Sequence, residues 1–310
     1  MSNETSSSTN SIETSLTRTI KLILFAIPLG PSLLCSLHIM ICIARKHKLR
    51  HRTNHVMICI IIVDFIELTY DLAAITMPYL KTGRIYNLSL CLYWVTGNYA
   101  LQGISAWLMA WASIDRYLLI FYHRLLSTFT RCDLPLIIIH GFVVLWYVIV
   151  TITHPCTENW FDETRFLCGG PCFNINSIIA TTDWILLVLI PAMIIIIVNL
   201  LLLVRILVQK LWLRSSFKNR RLQWRKTANL LIQLLGITIV FLITQVPLAI
   251  LCLVQIFLVP DFLIDVSHIW LYYMPYFIYI TTPFAYIVTT KECRTRTFRQ
   301  QQHRIYPIHR

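Results

Sequence analysis

Hydrophobic and polar positions alternate along this chain in long blocks. Apolar runs cover residues 20–44, 55–80, 91–121, 134–153, 177–208, 228–258 and 269–289, with short polar connections between them. Most reach the roughly 20 residues that a helix needs to cross a bilayer. The spacing therefore predicts seven membrane helices and no repeat among them. The third run, from Cys91 to Tyr117, organises the rest. Its 24-residue step from Cys91 to Asp115 is about 36 Å as a helix, slightly more than the roughly 30 Å hydrocarbon core. Cys91 thus sits at one membrane face and Asp115-Arg116-Tyr117 at the other. Between them Asn98, Gln102 and Ser105 fall on one stripe of the helix, which needs polar neighbours inside the bundle.

Composition agrees, since the chain is 57% hydrophobic and only 13% charged, against about 25% charged in soluble proteins. A formal charge of +13 suggests nucleic acid at first. No soluble segment is long enough to gather that charge into a binding domain, so nucleic acid is excluded as a partner. Topology explains the charge instead. Twenty-two of the 27 Lys and Arg lie after runs one, three, five and seven, leaving Arg18, Lys21, Lys81, Arg84 and Arg165 for the other side. Cytoplasmic loops carry such an excess. The N-terminus and Cys91 are therefore expected outside, and Asp115-Arg116-Tyr117 inside.

The first 18 residues, rich in Ser, Thr and Asn, read as a disordered outer tail, without the pattern of a signal peptide. Residues 19–290 form the membrane domain and 291–310 an inner tail. Asn3-Glu4-Thr5 and Asn87-Leu88-Ser89 are glycosylation sequons on the outer side. Cys91, Cys156, Cys168 and Cys172 also fall there, where bridges form. Four cysteines allow three pairings, and the spacing does not choose among them.

Seven spans with an outer cysteine heading the third and Asp115-Arg116-Tyr117 at its foot resemble a rhodopsin-like (class A) G-protein-coupled receptor. Further residues match in order: Asp64 in the second run, Trp146 in the fourth, Pro191 in the fifth, Pro247 in the sixth, and Pro283 with Tyr286 in the seventh. The resemblance spans about residues 20 to 300. It implies an all-α membrane protein, a seven-transmembrane helix bundle followed by a short cytoplasmic amphipathic helix. It also implies a plasma-membrane receptor, possibly of neuropeptide type, that is not an enzyme and needs no cofactor. Its partners would be an extracellular ligand, membrane lipid and a heterotrimeric G protein that couples at Asp115, Arg116 and Tyr117. The resemblance assigns the activation switch to Asp64, Phe241, Pro247, Pro283 and Tyr286, with sodium possible near Asp64. Cys91 is expected to pair with Cys168, or as second choice Cys172, leaving Cys156 for another bridge.

The departures are specific. Gln245 stands where the family usually has tryptophan, Thr282 where it has asparagine, and Asn199 where it has tyrosine. Asn98 replaces the aspartate of amine receptors, which disfavours monoamines. The seventh run has no lysine before Lys291, so a retinal Schiff base is excluded. No H-E-x-x-H metal motif occurs. A small polytopic transporter is the alternative, although internal symmetry is missing.

Ligand chemistry is read from the acids. Asp64, Glu67 and Asp71 share one face of the second run, and Asp183 opens the fifth. With Lys21, Lys81 and Arg84 only at span ends, these acids are expected to lack partners. An unpaired acid at that depth is costly, so a cationic ligand is favoured. The bland alternative is that they are protonated or hold water and sodium. Glu67, Asp71, Asn98, Gln102, Asp183, Tyr272 and Tyr276 are the candidate ligand residues. Tyr272, Tyr276, Tyr279 and Tyr286 form an aromatic stripe expected to face the second and third helices. The sizeable, cysteine-tethered loop before the fifth run suits a short, basic peptide.

Overall fold

The computed structural model describes residues 14–45, 55–85, 88–121, 129–154, 160–212, 220–259 and 262–289. Seven helical rods account for nearly all of them. α1 is Ser15–Arg45, α3 Leu88–Phe121, α4 Phe129–Thr153 and α6 Arg220–Phe257. The other three are jointed. α2 runs through His55–Ile66, Glu67–Thr76 and Met77–Thr82, and α5 through Ser177–Trp184, Ile185–Leu189 and Ile190–Trp212. α7 comprises Ile264–Ile269, Leu271–Tyr273 and Tyr276–Thr289. α1 starts at Ser15, so the end of the expected tail is helical. Residues 1–13, with Asn3, and Asn87, Cys156 and the expected amphipathic helix past residue 290 lie outside the described residues.

Prolines explain the joints. The middle pieces of α2 and α5 have π-helical turns, in which an N–H reaches back five residues: Met77 to Leu72 and Ile190 to Ile185. Each widening ends just before a proline, Pro78 or Pro191, whose missing N–H breaks the ordinary ladder. In α7 Pro275 precedes the long final piece. α2 ends on Gly83, which takes φ +76° and returns its N–H to Tyr79, a left-handed cap that costs glycine little.

Five of the rods, α1, α3, α4, α5 and α6, are long and apolar enough to cross a membrane on their own. The other two, α2 and α7, are divided into shorter pieces. The seven predicted runs are therefore all present. α3 is the hub, packing on α2, α4, α5 and α6, while α7 packs on α1, α2 and α6. Burial follows: 56% of the apolar window of α3 is enclosed, against 22% for α1 and α4. Leucines and isoleucines left exposed on outer rods, such as Leu34, Ile138, Ile152 and Leu200, are what hydrocarbon requires.

At the Cys91 end, Cys91 is bonded to Cys168. Cys172 is also disulfide-bonded, so the second-choice pairing to Cys91 does not occur. The bridge pulls the loop before α5 inward. Phe166 then packs on Trp94 (5.3 Å between centroids), Tyr79 (6.1 Å) and Tyr273 (4.1 Å). Tyr79 donates to the Thr164 carbonyl, 3.1 Å. Leu167 follows, buried beneath the loop.

Candidate functional site

Three polar groupings lie along the axis of the bundle. The one nearest Cys91 centres on Asp71, which is fully buried. Its Oδ1 accepts from Trp94 Nε1 at 2.7 Å and from Thr76 Oγ1 at 2.9 Å. Its Oδ2 accepts from Asn98 Nδ2 and from the Tyr276 hydroxyl, the latter at 3.0 Å. Thr76 and Tyr276 also touch each other at 3.0 Å. The spacing of Trp94 and Asn98 puts both on one face of α3, and the π-helical turns carry Thr76 to the same carboxylate. The expectation that Asp71 lacks partners fails, because four neutral donors from three helices saturate it.

Asp183 is also partnered. Trp146 Nε1 donates to its Oδ1 at 2.8 Å, and Tyr147 is adjacent to it. Its carboxylate is turned toward α4. Lys21, at the end of its span, is fully buried, its Nζ 3.9 Å from the centroid of the Tyr273 ring, a favourable cation–π geometry.

Two small enclosed cavities lie between these acids. One is lined by Asn98, Tyr99, Gln102, Leu167, Trp184, Leu248, Tyr272, Pro275, Tyr276 and Tyr279. The other includes Tyr99, Gln102, Tyr147, Asp183 and Trp184. Each holds about 10 Å³, room for about one water. Asn98, Gln102, Asp183, Tyr272 and Tyr276 from the candidate ligand set thus converge here, whereas Asp71 and Glu67 do not line either space. A wider vestibule of about 560 Å³, sharing no lining residue with either, is bordered by Thr153, His154, Trp160, Phe173 and Asn176. Tyr272 lines the first of these cavities with α3 as Tyr276 and Tyr279 do, and its hydroxyl also meets Cys252 of α6 at 3.9 Å.

The middle grouping has the opposite character. Asp64 and Glu67 are fully buried, and none of their four carboxyl oxygens has a partner within hydrogen-bond distance. Tyr279 is adjacent to Glu67 and Thr282 to Asp64, but the Thr282 hydroxyl is spent on the Ile278 carbonyl at 2.8 Å. No group of three or more His, Cys, Asp or Glu among the described residues is arranged to hold a metal ion. Gln102 Nε2 donates to Gln245 Oε1 at 2.8 Å, tying α3 to α6 two residues before Pro247. Lower down, Asn199 Nδ2 bridges Ser113 of α3 at 3.2 Å and Thr238 of α6 at 3.3 Å.

At the foot of α3, Asp115 and Arg116 are both buried. Asp115 and Tyr286 of α7 are close enough to act on the guanidinium, and His55 of α2 is close to Asp115. Arg205 of α5 lies over the rings of Tyr117 and Phe121, at 5.3 and 5.2 Å. Phe241 is buried in α6, on the helix that contains Pro247.

The model of the family described as 7 transmembrane receptor (rhodopsin family) matches residues 35–286. This chain is a member of that family. No individual curated protein matches it in sequence. The receptor is accordingly a multi-pass membrane protein of the cell surface, where it answers an extracellular ligand by signalling through G proteins. Members of this family are receptors rather than enzymes or transporters.

Four residues of the site escaped the sequence analysis as partners: Trp94, Thr76, Tyr147 and Gln245. Trp94 was recoverable, since 94, 98 and 102 follow steps of four along one helical face. Thr76 was not, because a π-helical turn shifts its direction from that of an ordinary helix.

Proposed function

We propose that the receptor binds a short peptide carrying a basic group, with its N-terminus outside the cell, and that Arg116 transmits the resulting helix movement to the G protein. The buried Asp115-Arg116 pair facing Tyr286 of α7 carries this reading. A guanidinium held inside the helix ends is withheld from a partner until the helices part. Separation of α6 from α3 then exposes it together with Tyr117. Pro247 and Pro283 lie inside their helices, where each removes a backbone hydrogen bond, and a rod weakened at one point pivots more readily than an intact one.

The vestibule supports a peptide. Its about 560 Å³ matches the range for binding clefts, and Trp160, Phe173, His154 and Asn176 offer it aromatic and hydrogen-bonding surfaces. The two enclosed cavities are too small for any ligand group as they stand, so binding must move Leu167, Tyr272 or Trp184. Asp183 is the proposed basic-group anchor: it borders a cavity and uses one strong donor, whereas Asp71 is fully engaged. Asp64, with no partner of its own, is the place where a sodium ion or a proton would be held.

The test is a signalling screen of short peptides on cells expressing the receptor, with Arg116→Ala as control. A peptide that drives nucleotide exchange on the wild type and none on the variant is expected. Equal exchange on both would overturn the role of Arg116.

A further inference from the structure

We infer that a sterol from the membrane occupies a groove between α3 and α4 in the Cys91 half, and thereby holds Tyr147 against the cavity beside Asp183. The groove stands apart from the functional reading above; its bearing on ligand binding rests on the anchor role given to Asp183. The groove holds about 520 Å³, within the range of binding clefts. Gly97 and Ala100 of α3 make its floor, and Tyr70 of α2 with Val144 and Val148 of α4 its walls. Glycine keeps the floor open, since a Cβ on Gly97 would lie 3.0 Å from the Tyr70 ring. The Tyr70 hydroxyl is spent on the Tyr93 carbonyl at 3.0 Å, so Tyr70 adds mainly ring surface. Val144, Val148 and Ile152 are exposed, and the open side of the groove therefore meets hydrocarbon. Ala100 lies nine residues past Cys91 and Val144 nine before Thr153. That is a depth of about 13.5 Å, close to one leaflet of the roughly 30 Å core. Further in, Trp107 and Phe142 meet edge to face at 6.3 Å and close α3 against α4.

Polarity along the groove selects the occupant. Thr96 and Thr151 bring hydroxyls to its Cys91 end, where the bilayer turns polar, and the lining carries no charged side chain. One small hydroxyl on an apolar body matches this grading, whereas a phospholipid brings a charged headgroup with no charge to meet it. Acyl chains would also give up conformational freedom on lying in a fixed groove, and fused rings give up almost none. Tyr147 connects the groove to the interior. It lines the groove on one side and the cavity beside Asp183 on the other. Its ring also packs on Phe173 of the vestibule at 6.3 Å. That cavity holds about 10 Å³, so a ligand group can reach Asp183 only if a wall withdraws. The groove is the free space behind Tyr147, and an occupant removes it. The sterol is therefore a brake: it keeps the cavity closed on the Asp183 side.

The experiment uses purified full-length receptor in phosphatidylcholine nanodiscs, with and without cholesterol. A photoreactive cholesterol and a photoreactive phosphatidylcholine are cross-linked in turn, and the labelled peptides are mapped. Cholesterol label is expected on 92–100 of α3 and 144–152 of α4, and excess cholesterol should compete it away. Val148→Phe fills the groove from its exposed wall and Ala100→Phe from its floor; each should reduce this label to background. Ile197→Phe, a lipid-facing change on α5, should leave it intact. Sterol label spread evenly over the rods overturns the site. Phosphatidylcholine label at 92–100 and 144–152 that cholesterol does not displace overturns the sterol, and so does a cross-link between two receptor copies there. A fluorine label on the Tyr147 ring reads the brake by magnetic resonance. Its signal is expected to sharpen to a single resonance when cholesterol is present, and Val148→Phe should show that resonance without cholesterol. A signal indifferent to cholesterol overturns the brake. Neither measurement uses an agonist, so a peptide screen that yields nothing counts against the ligand reading alone.

Discussion

The two halves of the bundle treat their buried polar groups differently. Toward Cys91 the buried acids are engaged: Asp71 has four donors, Asp183 an indole, and the loop is bolted to α3 by Cys91–Cys168, with Arg18 Nε and Asn174 Oδ1 the atoms left without partners there among the described residues. Toward Arg116 the described residues include unpartnered atoms on Ser36, Asp64, Glu67, Trp107, Trp111 and Asn199. A saturated network resists movement, because every displacement loses bonds. A set of groups without partners loses little on moving and gains when a rearrangement offers bonds. The Cys91 half is built as a frame and the Arg116 half as the moving part.

That contrast sorts substitutions into those that cost stability and those that cost signalling. The largest effect expected is at Arg116. Arg116→Ala should abolish agonist-driven nucleotide exchange, by roughly 100-fold or more, on the view that binding energy reaches the G protein through this residue. Surface expression and ligand binding should stay near wild type. Normal exchange would place the moving part elsewhere.

Asp71 should respond in the other currency. Asp71→Leu strands two hydroxyls, an indole and an amide in an apolar core, a loss of about 3–5 kcal/mol or more by the cost of breaking a buried charged network. The variant is expected to be retained inside the cell, while Asp71→Asn, which keeps one acceptor oxygen, should lose only about 1–2 kcal/mol. Thermal unfolding of the two in detergent measures the difference. Identical midpoints for Asp71→Leu and wild type would dissolve the distinction between the halves.

Asp183 lies where frame meets cavity, so its effect should divide. Asp183→Asn keeps an acceptor for Trp146 but loses the charge. The potency of a basic peptide should fall about tenfold, the scale of one charge contact in a partly screened site, while a neutral agonist shifts little. Equal loss for both agonists would make Asp183 a frame residue like Asp71.

What the sequence made legible follows the same division. Periodicity and length are carried by the chain itself, so all seven rods and the stripe of Asn98, Gln102 and Ser105 were readable. The Cys91–Cys168 pairing was expected from the family resemblance. Partnerships across helices were not. Asp71 was expected to be naked because its donors come from three different rods, and the direction of Thr76 depends on π-helical turns that end at Pro78. Tyr272 lines the cavity with α3 as expected, but its contact with Cys252 of α6 lies across helices and was not readable. Gln245 was visible only as a departure; its meaning required Gln102 opposite it. Helical phase survives in a sequence until a joint intervenes, and the joints here lie beside the site.

The smallest effect is expected where the family's own landmark lies. Asp64 and Glu67 have no hydrogen-bond partners in an enclosed apolar setting. A lone charge there costs several kcal/mol, and two carboxylates three residues apart on one helix face would repel in addition. A carboxyl in such a place is least costly when neutral, and a neutral carboxyl has nearly the shape and polarity of an amide. Glu67→Gln should leave the unfolding midpoint within the equivalent of about 1 kcal/mol of wild type. Asp71→Asn, on the same face of the same helix, should fall by more. Measured in one buffer, the two midpoints test the division between the halves at its narrowest point, four residues of α2. If Glu67→Gln proves the more damaging, Glu67 holds a charge with a bound cation beside it, and the moving half contains a site as fully engaged as the frame.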